Sequence, residues 1–170
     1  SDMKDYSSSE RKINMDNIFD INRLGINDTF ETGNSLTLGI DFKKENKKNK
    51  ENYLELKLGS VFRDNTENNI PSQTTLNKKN SNLFGSIDYS ISEFLNLDYN
   101  FAIDNKIESF EYNSIGLGLS LNNFITKFNF IEEHGETGDA NILAGSFEYN
   151  IDKKNSFRFQ TRRNRKLSLT

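Results

Sequence analysis

The chain has 170 residues, 34% of them hydrophobic, a formal net charge of −3 and no cysteine. That length fits one domain, the absent cysteines exclude a disulfide or thiolate metal site, and the charge leaves no nucleic-acid footprint. A mean hydropathy of −0.75 is thin for a soluble core, and no run approaches the roughly 20 apolar residues of a transmembrane helix, but a barrel with a wet interior needs apolar residues only at alternate strand positions.

Residues 1–14 are polar without a clear period, and residues 15–34 are irregular and rich in Asn, Asp and Gly. Together, 1–34 reads as a loop or strand lead-in to a strand region over 35–170. The start lacks the apolar stretch of a signal peptide, and the end stops in mid-alternation, so the chain is expected to be a piece of a longer protein at both ends.

From Ser35 onward the period is two, which places alternate side chains on opposite faces of a strand. Segment 35–42 sets Leu36, Leu38, Ile40 and Phe42 against Thr37, Gly39 and Asp41. Segment 53–63 sets Leu54, Leu56, Leu58 and Phe62 against Glu55, Lys57 and Arg63, and segment 83–91 sets Leu83, Ile87, Tyr89 and Ile91 against Ser86, Asp88 and Ser90. Segment 94–103 is the cleanest, with Leu95, Leu97, Tyr99, Phe101 and Ile103 opposite Asn96, Asp98, Asn100 and Ala102. Segments 111–121, 124–131, 142–151 and 156–162 continue the pattern, and a partial ninth strand begins near Lys166. Several segments reach the roughly 9–11 residues that a tilted strand needs to cross a bilayer, against roughly 5–6 for a typical soluble strand. The single proline, Pro71, lies outside every one of them, as a hydrogen-bonded ladder requires.

The links alternate in length. Those at 92–93, 122–123 and 152–155 are short, and those at 64–82, 104–110 and 132–141 are long. Short periplasmic turns and longer external loops are the habit of outer-membrane barrels. The link at 43–52, about ten residues of Lys, Asn and Glu, falls at either end depending on the strand count. The fold class expected is all-β, an antiparallel meander forming part of a large transmembrane outer-membrane β-barrel.

The run Phe19-Asp-Ile-Asn-Arg-Leu-Gly-Ile-Asn-Asp28, followed by Gly33-Asn-Ser-Leu-Thr-Leu-Gly39, resembles a pattern in the barrel of the LptD family of outer-membrane lipopolysaccharide-assembly proteins. The matching residues are Phe19, Asp20, Asn22, Arg23, Gly25, Asp28, Gly33, Asn34 and Gly39. The family's glycine sits one residue further from the arginine, whereas the Arg-to-Asp distance agrees. The run from Ser81 to Phe101 resembles a following hairpin of the same family. The resemblance implies the C-terminal part of a large closed barrel in a Gram-negative outer membrane, with a periplasmic N-terminal domain and the first and last strands lying elsewhere. It implies membrane biogenesis by transport rather than an enzyme, no cofactor, and lipopolysaccharide as substrate. The partners it implies are an LptE-like plug lipoprotein, the periplasmic Lpt bridge and outer-membrane lipid. A general porin-like or other passive barrel, and a soluble all-β binding module, are the alternatives.

Several constellations bear on chemistry. Arg23 can form a bidentate ion pair with Asp28 or Glu31, fixing a loop against the barrel, and the density of Asn, Asp and Gly around it favours an ordered turn. Arg158 and Arg162 share the polar face of their strand and are candidate lumen contacts for the phosphates of a glycolipid; with Arg163, Arg165 and Lys166 they form a basic cluster, whose plainer reading is a lumen lining balanced by acids such as Asp88, Asp98 and Glu148. The acidic run at 132–139 fits no calcium-loop template and reads as a solvated external loop. His134 is the only histidine, so no His–His zinc pair is available and a Ser–His–Asp triad has no independent support. Gly116 and Gly118 lie in a strand with no helix following, which argues for a smooth inner wall rather than a phosphate loop.

Overall fold

The computed structural model describes residues 3–25, 31–47 and 53–165. Among them are eight strands: β1 Ser35–Glu45, β2 Tyr53–Arg63, β3 Leu83–Ser92, β4 Leu95–Ile103, β5 Phe110–Leu121, β6 Phe124–Glu133, β7 Ala140–Asn150 and β8 Ser156–Asn164. They form one antiparallel sheet in chain order, each strand pairing only with its sequence neighbours. The sheet does not close on itself, and β1 and β8 each carry one edge unpaired among the described residues. The expected ninth strand near Lys166 lies outside the described residues.

Alternation decides which face each residue takes, and the register aligns those faces from strand to strand. Leu95, Leu97 and Tyr99 of β4 pair with Leu119, Leu117 and Ile115 of β5. Those continue to Thr126, Phe128 and Phe130 of β6, then to Phe147, Gly145 and Leu143 of β7. The result is one continuous, mostly apolar outer face. Much of it is open, with Leu38, Ile40, Phe42, Leu117, Phe128, Phe157 and Phe159 among its exposed members. Glycine interrupts it at Gly85, where the Phe101 ring of the facing strand lies across the backbone, an aromatic covering a gap in the sheet.

The chain turns tightly at one end of the sheet. Asn122 accepts φ 45° in the β5–β6 link, a left-handed value that Asn tolerates. Asp152 organises the β7–β8 link by accepting the N–H groups of Lys154 and Asn155 at 2.7 and 2.9 Å. The side-chain amide of Asn155, first, and those two backbone donors hold the Asp152 carboxyl below its ordinary range. Because no strand intervenes between β1 and β2, and Glu45 pairs with Tyr53, the link at 43–52 belongs to this same end. Its place, which the sequence left open, follows from the strand order.

The long links at the other end are not simple solvated loops. The link between β2 and β3 folds back through a 3-10 turn, Ser72–Thr74, and buries Ile70, Pro71, Thr74, Thr75, Leu76, Ser81 and Asn82. The link between β6 and β7 makes a second such turn, Gly135–Thr137. Its Thr137 is buried and donates to the carbonyls of Glu111 and His134. The solvated reading of 132–139 therefore holds for its exposed acids but not for Glu133 and Thr137, which are buried.

The apolar core lies on the inner face, at this same end. Met3, Ile13, Met15, Ile18 and Leu24 of the segment before β1 cluster with Ile70 and Leu76 of the β2–β3 link and with Val61, Phe84 and Ala102 of β2, β3 and β4. Residues 3–24, expected as a lead-in, form turns at 7–8, 15–19 and 21–24 joined by irregular stretches, and pack onto the sheet.

Candidate functional site

The inner face is the polar face, and the motif residues lie at its upper edge beside β1 and β2. The Arg23 guanidinium is buried and donates to both Glu31 carboxylate oxygens, at 2.5 and 2.6 Å. It also donates to Thr37 Oγ1 at 2.8 Å and Ser35 Oγ at 3.1 Å, both on β1. Arg63, at the end of β2, reaches the same Glu31 at 2.7 Å and donates to the Thr32 carbonyl. One carboxylate thus ties the pre-strand segment to two strands. Of the two partners the sequence offered to Arg23, Glu31 takes the contact, and Asp28 lies outside the described residues.

The other motif positions surround this cluster. Gly33, at φ 78°, occupies a left-handed turn that favours glycine. Asn34 then donates its backbone and side-chain N–H groups to Asp64, at 3.3 and 3.2 Å. Gly25, at φ 71°, leaves room for the Arg11 guanidinium, which donates to the Arg23 carbonyl at 3.1 Å. Gly39 lies under the Phe19 ring, so a Cβ there would meet both that ring and the Leu58 carbonyl. Asp20 is exposed, and Asn22 accepts at its carbonyl from the Gly25 N–H at 2.9 Å. Below the cluster, Glu67 accepts from the Thr32 hydroxyl and from the Asn69 N–H, and these bonds, the Thr32 one first, hold its carboxyl below the ordinary range.

A second tie was not legible in sequence. Lys12 pairs with the buried Glu133 at the end of β6, and Lys78 pairs with Glu136 at 2.7 Å. The first joins the segment before β1 to β6, and the second joins the β2–β3 link to the β6–β7 link.

Further along the inner face, charge divides by strand. Glu55, Asp88 and Asp98 stand opposite one another across β2, β3 and β4, with Lys57 held by Glu55 at 3.2 Å. Asp98 lies flat over Gly116, which has no side chain to displace it. Across β6, β7 and β8 the inner residues include Lys127, Arg158 and Arg162. Arg158 is paired with Glu148, at 2.9 and 2.7 Å, whereas Arg162 faces the same side without that partner. The basic cluster read from sequence is split by the pleat, because Arg163 pairs with Leu143 on the outer face. Arg165 lies just past β8, and Lys166 lies outside the described residues. Among the described residues no group of His, Cys, Asp or Glu could hold a metal ion.

Among the described residues no helix is long and apolar enough to cross a membrane, which says nothing of strands. No curated protein and no solved structure matches the chain. A family model described as LptD, LPS transport system D, matches residues 1–159, a span that includes the Arg23 cluster, the inner-face segment and the strands down to Phe159. The family is one of transport and assembly proteins of the outer membrane, with lipopolysaccharide as substrate and the Lpt pathway as its partners. With nearly the whole length matched and an antiparallel meander that is apolar on one face and polar on the other, this chain belongs to the LptD family, and its eight strands are part of an outer-membrane β-barrel.

Proposed function

We propose that these strands form part of the wall through which lipopolysaccharide enters the outer leaflet of the outer membrane. The observation that carries this reading is the division of one sheet into a lipid-compatible outer face and a polar inner face, in a chain of the LptD family. The outer face seats the wall in hydrocarbon, where each apolar residue exposed is stabilising rather than costly. The inner face offers hydroxyl, amide and charged groups to a sugar and phosphate head group, with Arg162 as the candidate contact of the two arginines the sequence offered, since Arg158 is held by Glu148. An unpaired strand edge is untenable in lipid, so in this reading β1 and β8 pair with further strands of a larger barrel. The seam by which lipid leaves lies among those strands. An LptE-like plug lipoprotein and the periplasmic Lpt bridge are the partners this reading assigns. The motif around Arg23 serves as scaffolding that ties Arg23, Glu31 and Thr32 to β1 and β2.

A passive porin is the competing barrel. It fits less well with an inner face that residues 3–24 and the β2–β3 link already occupy in part. The test is depletion of the protein in its Gram-negative host, with complementation by the chain's full-length gene. Lipopolysaccharide labelled at the cell surface is expected to fall on depletion and to return on complementation. Unchanged surface lipopolysaccharide, with altered uptake of small solutes instead, would replace this reading with the porin one.

A further inference from the structure

The inner face of β6, β7 and β8 holds a trough that the sequence did not reveal. Its floor is made of small residues on the middle strand, Ala144 and Ser146. Its walls are longer polar side chains on the flanking strands. Lys127 and Gln160 flank Ser146, and Asn129 and Arg162 flank Ala144. Two adjoining depressions of about 350 and 330 Å³ share Ser146 and Gln160. Two strand spacings set the distance between the walls at about 10 Å, wide enough for a hexose ring and its substituents but not for a folded protein element.

The charges select what enters. At the lower end of the trough Glu148 occupies Arg158, so that arginine's charge is already compensated. Lys127 and Arg162 are the cations left facing the trough from opposite walls, and among the described residues neither is engaged in an ion pair, unlike Arg158 with Glu148 and Lys57 with Glu55. On the far side of the arc Glu55, Asp88 and Asp98 face the same interior. An anionic group inside the arc is therefore drawn to β6–β8 and repelled from β2–β4. Amide and hydroxyl groups between the two cations match the hydroxyls of a sugar, and an arginine facing a lysine matches a phosphate monoester.

We infer that this trough is a binding site for a phosphorylated sugar head group, with Lys127 and Arg162 holding the phosphate and Asn129, Ser146 and Gln160 holding the sugar. The inference rests on the transport reading above and adds to it a side of the wall, a pair of cations and a reason why Arg158 is not one of them.

The test is photo-crosslinking in cells that express the full-length protein, with a benzophenone side chain placed at Gln160 in one variant and at Asp98 in another. The cells' own lipopolysaccharide is the species detected, by immunoblot of the crosslinked band. The band is expected at position 160 and not at position 98. Adding Arg162→Gln or Lys127→Gln to the position-160 variant is expected to weaken it roughly tenfold, the loss of one charge-assisted hydrogen bond. Heat-modifiable gel mobility reports separately that each variant still folds. Equal bands at 160 and 98, or a band at 160 indifferent to both glutamine substitutions in folded protein, would overturn the trough while leaving transport intact. Bands at neither position, with surface lipopolysaccharide still arriving, would overturn the trough and the lumen route together.

Discussion

Glu31 shows how much one side chain can organise. It answers two guanidinium groups, Arg23 and Arg63, whose side chains are 7% and 1% exposed. Replacing it with glutamine keeps the shape and removes the charge, leaving two buried cations without their counter-ion. Breaking such a buried pair costs about 3–5 kcal/mol, so Glu31→Gln is expected to lower the unfolding free energy by about 3 kcal/mol, read from urea titration of the detergent-folded protein. Glu67 responds to pH instead. The Thr32 hydroxyl and Asn69 N–H favour its charged form, so its folded-state pKa lies below the unfolded value of 4.5. The bond contributes fully above that unfolded value and is lost as pH falls through the lower folded one. Thr32→Val should move the titration of Glu67 upward toward 4.5, followed by carboxyl NMR shifts in the detergent-solubilised protein. Of this neighbourhood, the sequence showed that Arg23 sought an acid. It could not show Arg63 joining it, because the two arginines are brought together only when β2 pairs with β1.

The strands were legible almost residue for residue, since a period of two is a local signal and each face has a single solvent. Leu117 and Gly118 illustrate the difference. Leu117 lies on the outer face between Leu97 and Phe128, and an arginine near the bilayer midplane costs about 2–4 kcal/mol. Gly118 is on the inner face with nothing within 4 Å of an added Cβ. Leu117→Arg should therefore destabilise the folded barrel by about 2–4 kcal/mol, while Gly118→Ser leaves it unchanged within about 0.5 kcal/mol; guanidinium unfolding in lipid vesicles separates the two. The trough was less legible than the strands that form it. Arg162 was recognised from its face, but Lys127 is two strands away and gains its meaning only from the small floor of β7 between them. Arg158, equally basic in sequence, is silenced by a cross-strand neighbour, Glu148.

At the scale of the whole molecule, the interior core was the part that alternation could not announce. Met3, Ile13, Met15, Ile18 and Leu24 follow no period, because a segment of turns lying on a sheet contacts it at irregular intervals. The β2–β3 link hid its buried residues among polar ones for the same reason. Glu133→Gln tests how firmly this layer is held. It removes the side-chain tie to Lys12 and leaves the backbone pairing of β6 intact, so hydrogen exchange is expected to quicken over 3–24 and stay slow in β3–β6, as a locally opening unit would. The same tie has a consequence for how the chain comes together. Strand neighbours are close in sequence and can zip one hairpin at a time, whereas Lys12 and Glu133 are 121 residues apart. Closing a loop of that length yields nothing until its far end exists. Lys12 must therefore wait for its partner until β6 has joined the sheet, whereas Ile13, Met15 and Ile18 beside it already meet β2, β3, β4 and the β2–β3 link, so this one ion pair closes late and marks the moment when β6 is in place.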